Sequence, residues 1–480
     1  MNHDPERGIT ITPAELSSEG IDAVLDTVAG TGANAITMPT GIAVEVSPGE
    51  GVREPPLDIA GHARVLDRPL WGKRAIELKR YAAHSADSAL WQDLPWRPPE
   101  VAPAEFRVDY ARKAIEGARE RDLRIHLQLT PYTIPGGTGG QEATGGPVAV
   151  RDQYRPQRFV GGSHPDAIAY TGCLNNPVVR QLGRVRLTEL LSHYADVDGI
   201  VFDWIEYPAY FIDKLFTCFC DYCRQAAEAL GYDWQQIRSS VRHLWDSLHT
   251  ITPEQVHALS ESGDWGDLVA HPEDMQAGFN AWLDFKADSV ANAIRDLRAV
   301  IEASGASHLA LSTGGSALPW GRMSGAAYPR AGGGLDIQRV KLYSFHWLMM
   351  VRWWTEAVMT WNRGSGIRPG DMTRATMALF GLTLENPPAE ILPESFGMPG
   401  PDESHNLTRE SYTYRLENAL SQDVRQAPLY PVVHAYRSVE DFASVLEAVR
   451  PFARRGVWIQ RYGYLSDEKL AVLGQEWSRS

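Results

Sequence analysis

Cysteine is scarce in this chain: four in 480 residues, a number that suits thiols kept reduced in a cytoplasm. Positive charge is in deficit too. Lys and Arg number 46 against 60 Asp and Glu, a formal net charge of −14. Neither nucleic acid nor an anionic membrane is therefore expected as a partner, because both are gripped by basic patches. Long apolar runs are missing as well, and nothing approaches the ~18 consecutive apolar residues of a membrane span. The run Trp347–Val351 stops at Arg352. At the start, MNHDPERGITITPAEL has charges and a proline where a secretory signal needs an apolar stretch, so a cytoplasmic location is expected. None of the fourteen histidines forms a His-x-His pair. A metal-dependent barrel hydrolase, which wants such a pair on its first strand, is for that reason only an alternative.

What the chain does hold is concentrated between Asp196 and Asp233. Gly199–Trp204 reads as a buried strand that gives way to an acid, an aromatic and a second acid: Asp203, Trp204, Glu206. Carboxylates at the end of such a strand suggest a catalytic mouth. Beyond them lies Cys218-x-Cys220-x-x-Cys223, a spacing that lets three thiolates converge on one soft metal ion. A fourth ligand must come from elsewhere, and the one other cysteine is Cys173. A four-thiolate site is closed to water, so it would fix the loop after the strand rather than act on substrate. Two rivals stay open: a redox pair at Cys220 and Cys223, and plain buried thiols.

A cysteine within C-x-N-x-P (Cys173, Asn175, Pro177), a strand ending in acid and Glu206-Tyr207, then C-x-C-x-x-C, resembles the zinc-bearing region of the glycoside hydrolase family 42 β-galactosidases. The strand DGIVFD with the cysteine set and the following Gly231-x-Asp233 is also similar to uncharacterised glycosyl-hydrolase-like barrels related to them. The resemblance covers roughly Tyr170 to Asp233. It implies an eight-fold β/α barrel, a structural zinc at the four cysteines, and a carbohydrate or glycoside substrate. In that family the acid/base glutamate ends strand four in an Asn-Glu-Tyr context, where this chain carries Ile205 in place of the asparagine. The family's nucleophile ends strand seven.

Taken in order, the chain predicts one α/β unit, a single (β/α)8 TIM barrel with helical and loop insertions at about 58–104, 135–165, 233–272 and 371–421. Helical spacing over Gly20–Gly30 leads to a first strand at Asn34–Pro39; Leu123–Thr130 alternates as the second, Ala167–Tyr170 is the third, and the motif strand is the fourth. His308–Thr313, Arg339–Phe345, Leu429–Tyr436 and Gly456–Arg461 complete eight. Asp58–Ala104 has no sustained period and reads as a long loop serving the mouth, and Pro135–Gly162 as a glycine-rich one.

Asp203 is the expected nucleophile or charge stabiliser and Glu206 the expected proton donor, provided the chain turns at Ile205 so that both acids face the mouth. The plainer alternative has Asp203 capping a loop or pairing with an arginine. Strand seven, as expected, ends Val433, His434, Ala435, Tyr436 without a carboxylate. A partner acid is therefore sought between Glu385 and Glu403, with Glu394 the first choice. His346, Trp347 and Tyr343, where strand six meets its loop, are expected to contact sugar, rings covering C–H faces and imidazole bonding hydroxyls. Tyr132 and Asn176 are further candidates of that kind. The expected activity is cleavage or transfer of a glycosidic bond. A degenerate barrel that binds sugar without cleaving it is the non-enzymatic alternative, and the sequence leaves a homo-oligomer open.

Overall fold

The computed structural model describes residues 4–479 apart from 59–60, 136–152, 163–170, 265, 270–272, 317–319, 327–329, 331–333 and 422–426. Eight parallel strands close on themselves: β1 (Glu6–Thr10), β2 (Ala35–Pro39), β3 (Arg124–Leu129), β4 (Gly199–Phe202), β5 (Ala310–Ser316), β6 (Ile337–Leu342), β7 (Leu429–His434) and β8 (Gly456–Gln460). Each pairs with its neighbours in chain order, and β8 returns to β1 with Trp458 opposite Gly8. Helices pack around this sheet, so the expected TIM barrel is the one observed.

The count of eight is reached differently from the expectation. The first strand is Glu6–Thr10, whose sequence ERGIT shows no apolar alternation because its inner face is chosen for fit to an indole. A Cβ on Gly8 would lie 2.3 Å from the Trp458 ring, and Glu6 accepts the Trp458 Nε1–H at 2.9 Å. Asn34–Pro39 is thus the second strand and Arg124–Leu129 the third, while Ala167–Tyr170 lies outside the described residues. The motif strand remains fourth.

The 58–104 excursion is also more ordered than its composition suggests. Its strand Ile76–Tyr81 pairs with Ile42–Val46 and Val52–Glu54, which precede the excursion, in a three-stranded antiparallel sheet outside the barrel. Arg64, in the connection between its last two strands, sits 5.8 Å over the Phe345 ring, and so this excursion does reach the C-terminal ends of the barrel strands. The expected glycine-rich loop at 135–162 falls largely outside the described residues.

Two helices set the site. Pro177–Tyr194 starts where the Asn176 side chain accepts the Val178 N–H and Pro177 needs no N–H partner. Glu273–Ala303, of 31 residues, buries Phe279, Trp282, Leu283, Lys286, Ser289, Val290, Ala293, Ile294 and Leu297 along one helical face. No helix among the described residues is long and apolar enough to cross a membrane.

Polar residues run up the inside of the barrel. Arg339 lies 3.7 Å over the Trp458 ring and donates to Thr37 Oγ1 at 3.0 Å. Glu6 stands 3.5 Å from His126 Nε2; although burial raises its pKa, His126, Arg339 and Arg124 together hold it down at about 2. Two positions after Arg339 on the same face comes Lys341, which carries this charge pattern to the mouth.

Candidate active site and thiolate centre

At the end of β4 the chain turns one residue earlier than expected. Trp204, not Ile205, makes the turn: it has φ +60°, a left-handed conformation costly for a bulky residue, and its N–H is taken by Asp203 Oδ1 at 3.0 Å. Asp203 thereby projects into the mouth. Its Oδ1 accepts from Lys341 Nζ at 2.6 Å and its Oδ2 from Gln128 Nε2 at 3.0 Å. The partner is a lysine where the plainer reading had an arginine. The two side chains are 18% and 10% exposed, so the pair is largely shielded from water yet reachable. Burial acts to lower the Lys341 pKa, but the charges of Asp203 and Glu206 outweigh it and hold the ammonium above the ordinary lysine range. A space over Gly314 admits the lysine: a Cβ there would lie 2.7 Å from Lys341 Cε.

Glu206 is buried and lines a small cavity with Trp204, Tyr207, Tyr210 and Lys214, about 20 Å³ in volume, room for a water. The Ser324 hydroxyl stands 3.0 Å from Glu206 Oε2 and 2.9 Å from the Gly321 carbonyl. It suits either protonation state of Glu206, as donor to the carboxylate or as acceptor from the acid while its own proton goes to Gly321. The backbone carbonyl of Ser324 also accepts the Tyr207 N–H at 2.8 Å, so one residue clamps both Glu206 and its neighbour. Burial keeps the Tyr210 phenol protonated, above the ordinary tyrosine range, and the negative charges of Glu206 and Asp203 add to that.

The other expected contacts divide. His346 and Tyr343 are half-buried at the mouth: His346 meets the Tyr210 ring edge-on at 5.0 Å, and Tyr343 meets His434 at 4.9 Å. Burial drives both imidazoles well below the ordinary histidine range, so they act there as neutral donors and acceptors. Trp347 is a correction. It is 1% exposed, its indole packed against Tyr412 and under the Arg415 guanidinium at 4.0 Å, with no face left for a sugar. Trp347→Ala is accordingly expected to lower stability by about 3–5 kcal/mol, as large aromatic truncations in a core do, a loss that denaturant titration reads. Tyr132 is likewise core, its OH donating to the Ala293 carbonyl at 3.0 Å. Asn176 is spent as a helix cap. Glu394 stands exposed on the turn Pro393–Ser395, against the helices Ser344–Trp361 and Pro369–Leu379. The structure does not bring it to Asp203 or Glu206 through any described hydrogen bond.

On the segment that follows β4, Cys218, Cys220 and Cys223 converge with Cys173. Cys173 Sγ lies 3.5 Å from Cys220 and Cys223 and 3.7 Å from Cys218, and all four sulfurs fall within 4.8 Å of one another. Thiolates bound at ~2.3 Å around a tetrahedral ion would stand ~3.8 Å apart, so the donor set fits one metal. A redox pair at Cys220 and Cys223 has no need of Cys173. Burial raises the Cys223 pKa and the other thiols push it further, while hydrogen bonds from the same neighbours, Cys173 first, lower that of Cys220; were all four ionised this close together, they would need a cation. Donors surround them: Gln157 N–H at 3.3 Å from Cys218 Sγ, and Asn175 Nδ2 at 3.4 Å from Cys223 Sγ. Among the described residues no other three His, Cys, Asp or Glu converge in this way.

Sequence reasoning missed Lys341, Gln128, Ser324 and Lys286. Only the first left a signal: Arg339 and Lys341 alternate on one face of a strand otherwise read as core. Lys286 is fully buried, its Nζ donating to the carbonyls of Leu215 at 2.7 Å and Met323 at 2.8 Å. Burial pushes it well below the lysine range, and Cys218 and Cys223 pull the other way; either protonation state supplies both bonds.

No family model matches this chain, and no curated protein does. Among solved structures it is similar to the catalytic domain of β-amylase from Paenibacillus polymyxa, at 10% identity and a TM-score of 0.46 over 98% of this chain and 97% of that one. It is also similar to Ostrinia furnacalis Group IV chitinase, at 10% and 0.41 over 99% and 100%. To a β-galactosidase from Marinomonas ef1 the figures are 10% and 0.38 over 93% of this chain, which spans 65% of the galactosidase. The closed parallel sheet, rather than these low scores, establishes the barrel.

Proposed function

We propose that the protein is a glycoside hydrolase or transglycosidase working at the C-terminal mouth of the barrel. The observation that carries this is that Asp203 and Glu206 both lie just past the end of β4, Asp203 held by the Lys341 ammonium at 2.6 Å and Glu206 lining a small cavity with Trp204, the residue after Asp203. Glycoside cleavage asks for two carboxylates with different tasks. Asp203, fixed by Lys341 and Gln128, is the carboxylate placed to attack or stabilise a positive anomeric carbon. Glu206 lines a small cavity beside the neutral hydroxyl of Ser324, and it is the second carboxylate at this strand end, the one left to hand a proton to a leaving oxygen. His346, Tyr343 and Tyr210 supply the hydroxyl contacts. Four thiolates of Cys173, Cys218, Cys220 and Cys223 would hold a structural zinc, whose chemistry when bound is to fix the loop behind Glu206. The family 42 resemblance supports the same cysteine assignment.

Glu206→Gln tests the division of labour. Its turnover should fall at least about a hundredfold on glycosides with poor leaving groups, and by little on activated aryl glycosides, which need no proton. Equal losses on both classes would show that Glu206 does not protonate the leaving group.

One observation favours a second reading, a barrel that binds sugar without cleaving it. β7 ends at His434, whose Nδ1 takes the Tyr436 N–H at 3.1 Å, and none of His434, Ala435 and Tyr436 is a carboxylate. Sugar binding without turnover by the metal-loaded protein would select it.

A further inference from the structure

We propose that Lys286 is a positioning residue that couples metal occupancy of the four-cysteine centre to the placement of Glu206. The proposal rests on the reading of Glu206 as proton donor.

Two connected routes lead from the sulfurs to the acid. The first runs through the turn that delivers Cys218. Thr217 N–H and Lys286 Nζ both donate to the Leu215 carbonyl, at 2.8 and 2.7 Å, so the turn is tied to the lysine immediately before the cysteine. The second bond of the same Nζ goes to Met323, and the next residue, Ser324, clamps Glu206 Oε2 and the Tyr207 N–H. That loop is pressed onto the helix: Gly325 has φ +81°, and a Cβ there would lie 2.8 Å from the Lys286 carbonyl. The second route runs through Asn175, whose Nδ2 is within reach of Cys223 Sγ (3.4 Å), Tyr207 OH (3.3 Å) and Ser289 Oγ (3.0 Å). Ser289 lies one turn beyond Lys286 on the same buried helical face, and the Tyr207 ring lies 5.4 Å from Lys286 Nζ. Tyr207 is therefore held at its hydroxyl from the cysteine side and at its N–H from the Ser324 side, with Glu206 directly preceding it. A sulfur cluster that spreads without its cation moves the Leu215 turn; the lysine passes that displacement to Ser324, and the carboxyl loses its aim.

Hydrogen exchange at the Tyr207 amide reads this coupling without substrate. Metal-stripped wild type and metal-loaded Lys286→Met, or Lys286→Gln where methionine prevents folding, should each exchange this amide at least tenfold faster than loaded wild type. Val28→Ala, a core truncation in the remote helix Ile21–Gly30, should leave it unchanged. On poor-leaving-group glycosides the lysine variants should lose kcat tenfold or more with KM held, sparing activated aryl substrates. An unmoved Tyr207 amide in the stripped protein or in the lysine variants, or equal acceleration in Val28→Ala, overturns the coupling. Accelerated exchange in a protein that cleaves no glycoside upholds the coupling and removes the proton-donor reading; normal exchange in an active enzyme removes the coupling alone.

Discussion

Asp203→Asn should fold and bind sugar but lose at least about a thousandfold in turnover, ~4 kcal/mol of barrier. Asparagine's one oxygen can keep the 2.6 Å bond from Lys341 Nζ, and its NH2, which replaces the oxygen that accepts from Gln128 Nε2 at 3.0 Å, can donate to the Gln128 oxygen once that amide flips, so the side chain stays placed while the charge goes. That charge is what a developing anomeric cation meets, in a place held ready before reaction. Stability should fall by less than the ~3–5 kcal/mol typical of stripping a buried ion of its partner, a loss Asp203→Ala should show in full. Steady-state kinetics beside denaturant titration separate the two effects. Near-normal turnover in Asp203→Asn would make the acid a structural partner of Lys341.

The second large effect concerns the sulfurs. Elemental analysis should find about one zinc per chain, and Cys223→Ser should destabilise the metal-loaded protein by an amount on the order of 3–5 kcal/mol. Cys223 is fully buried, touches Cys173 at 3.5 Å and receives Asn175, so a serine there leaves three thiolates short of a ligand. A chelator should bring wild type down to the variant's stability and leave the variant unmoved. Acid should act in the same direction, because protons compete with metal for thiolate. A folded, reduced protein without metal and without a chelator response would contradict the assignment.

How far the sequence could be read follows from which contacts are local. The cysteine set was legible because three of its members lie within six residues and the fourth is the only one left. The barrel was legible from strand periodicity, save for β1, where Glu6 and Gly8 answer to Trp458 on the far end of the chain, and for the third place, expected at Ala167–Tyr170 and held by Arg124–Leu129. Asn176 could have been read correctly: Asn followed by Pro at a helix start is a cap signature. Trp347 could not be separated from His346 by position alone. Neighbours on a helix point about 100° apart, and that step sends one ring to the mouth and the other into Tyr412 and Arg415. Lys286, Ser324 and Gln128 act through partners dozens of residues away, which no local pattern announces.

The most direct test of the account is hydrolysis of nitrophenyl glycosides, in both anomeric configurations, by the zinc-loaded protein and its Asp203→Asn variant under identical conditions. The account predicts turnover of one configuration by the wild type and its collapse in the variant. Sugar binding with no cleavage of either configuration, or cleavage that survives in Asp203→Asn, would contradict it.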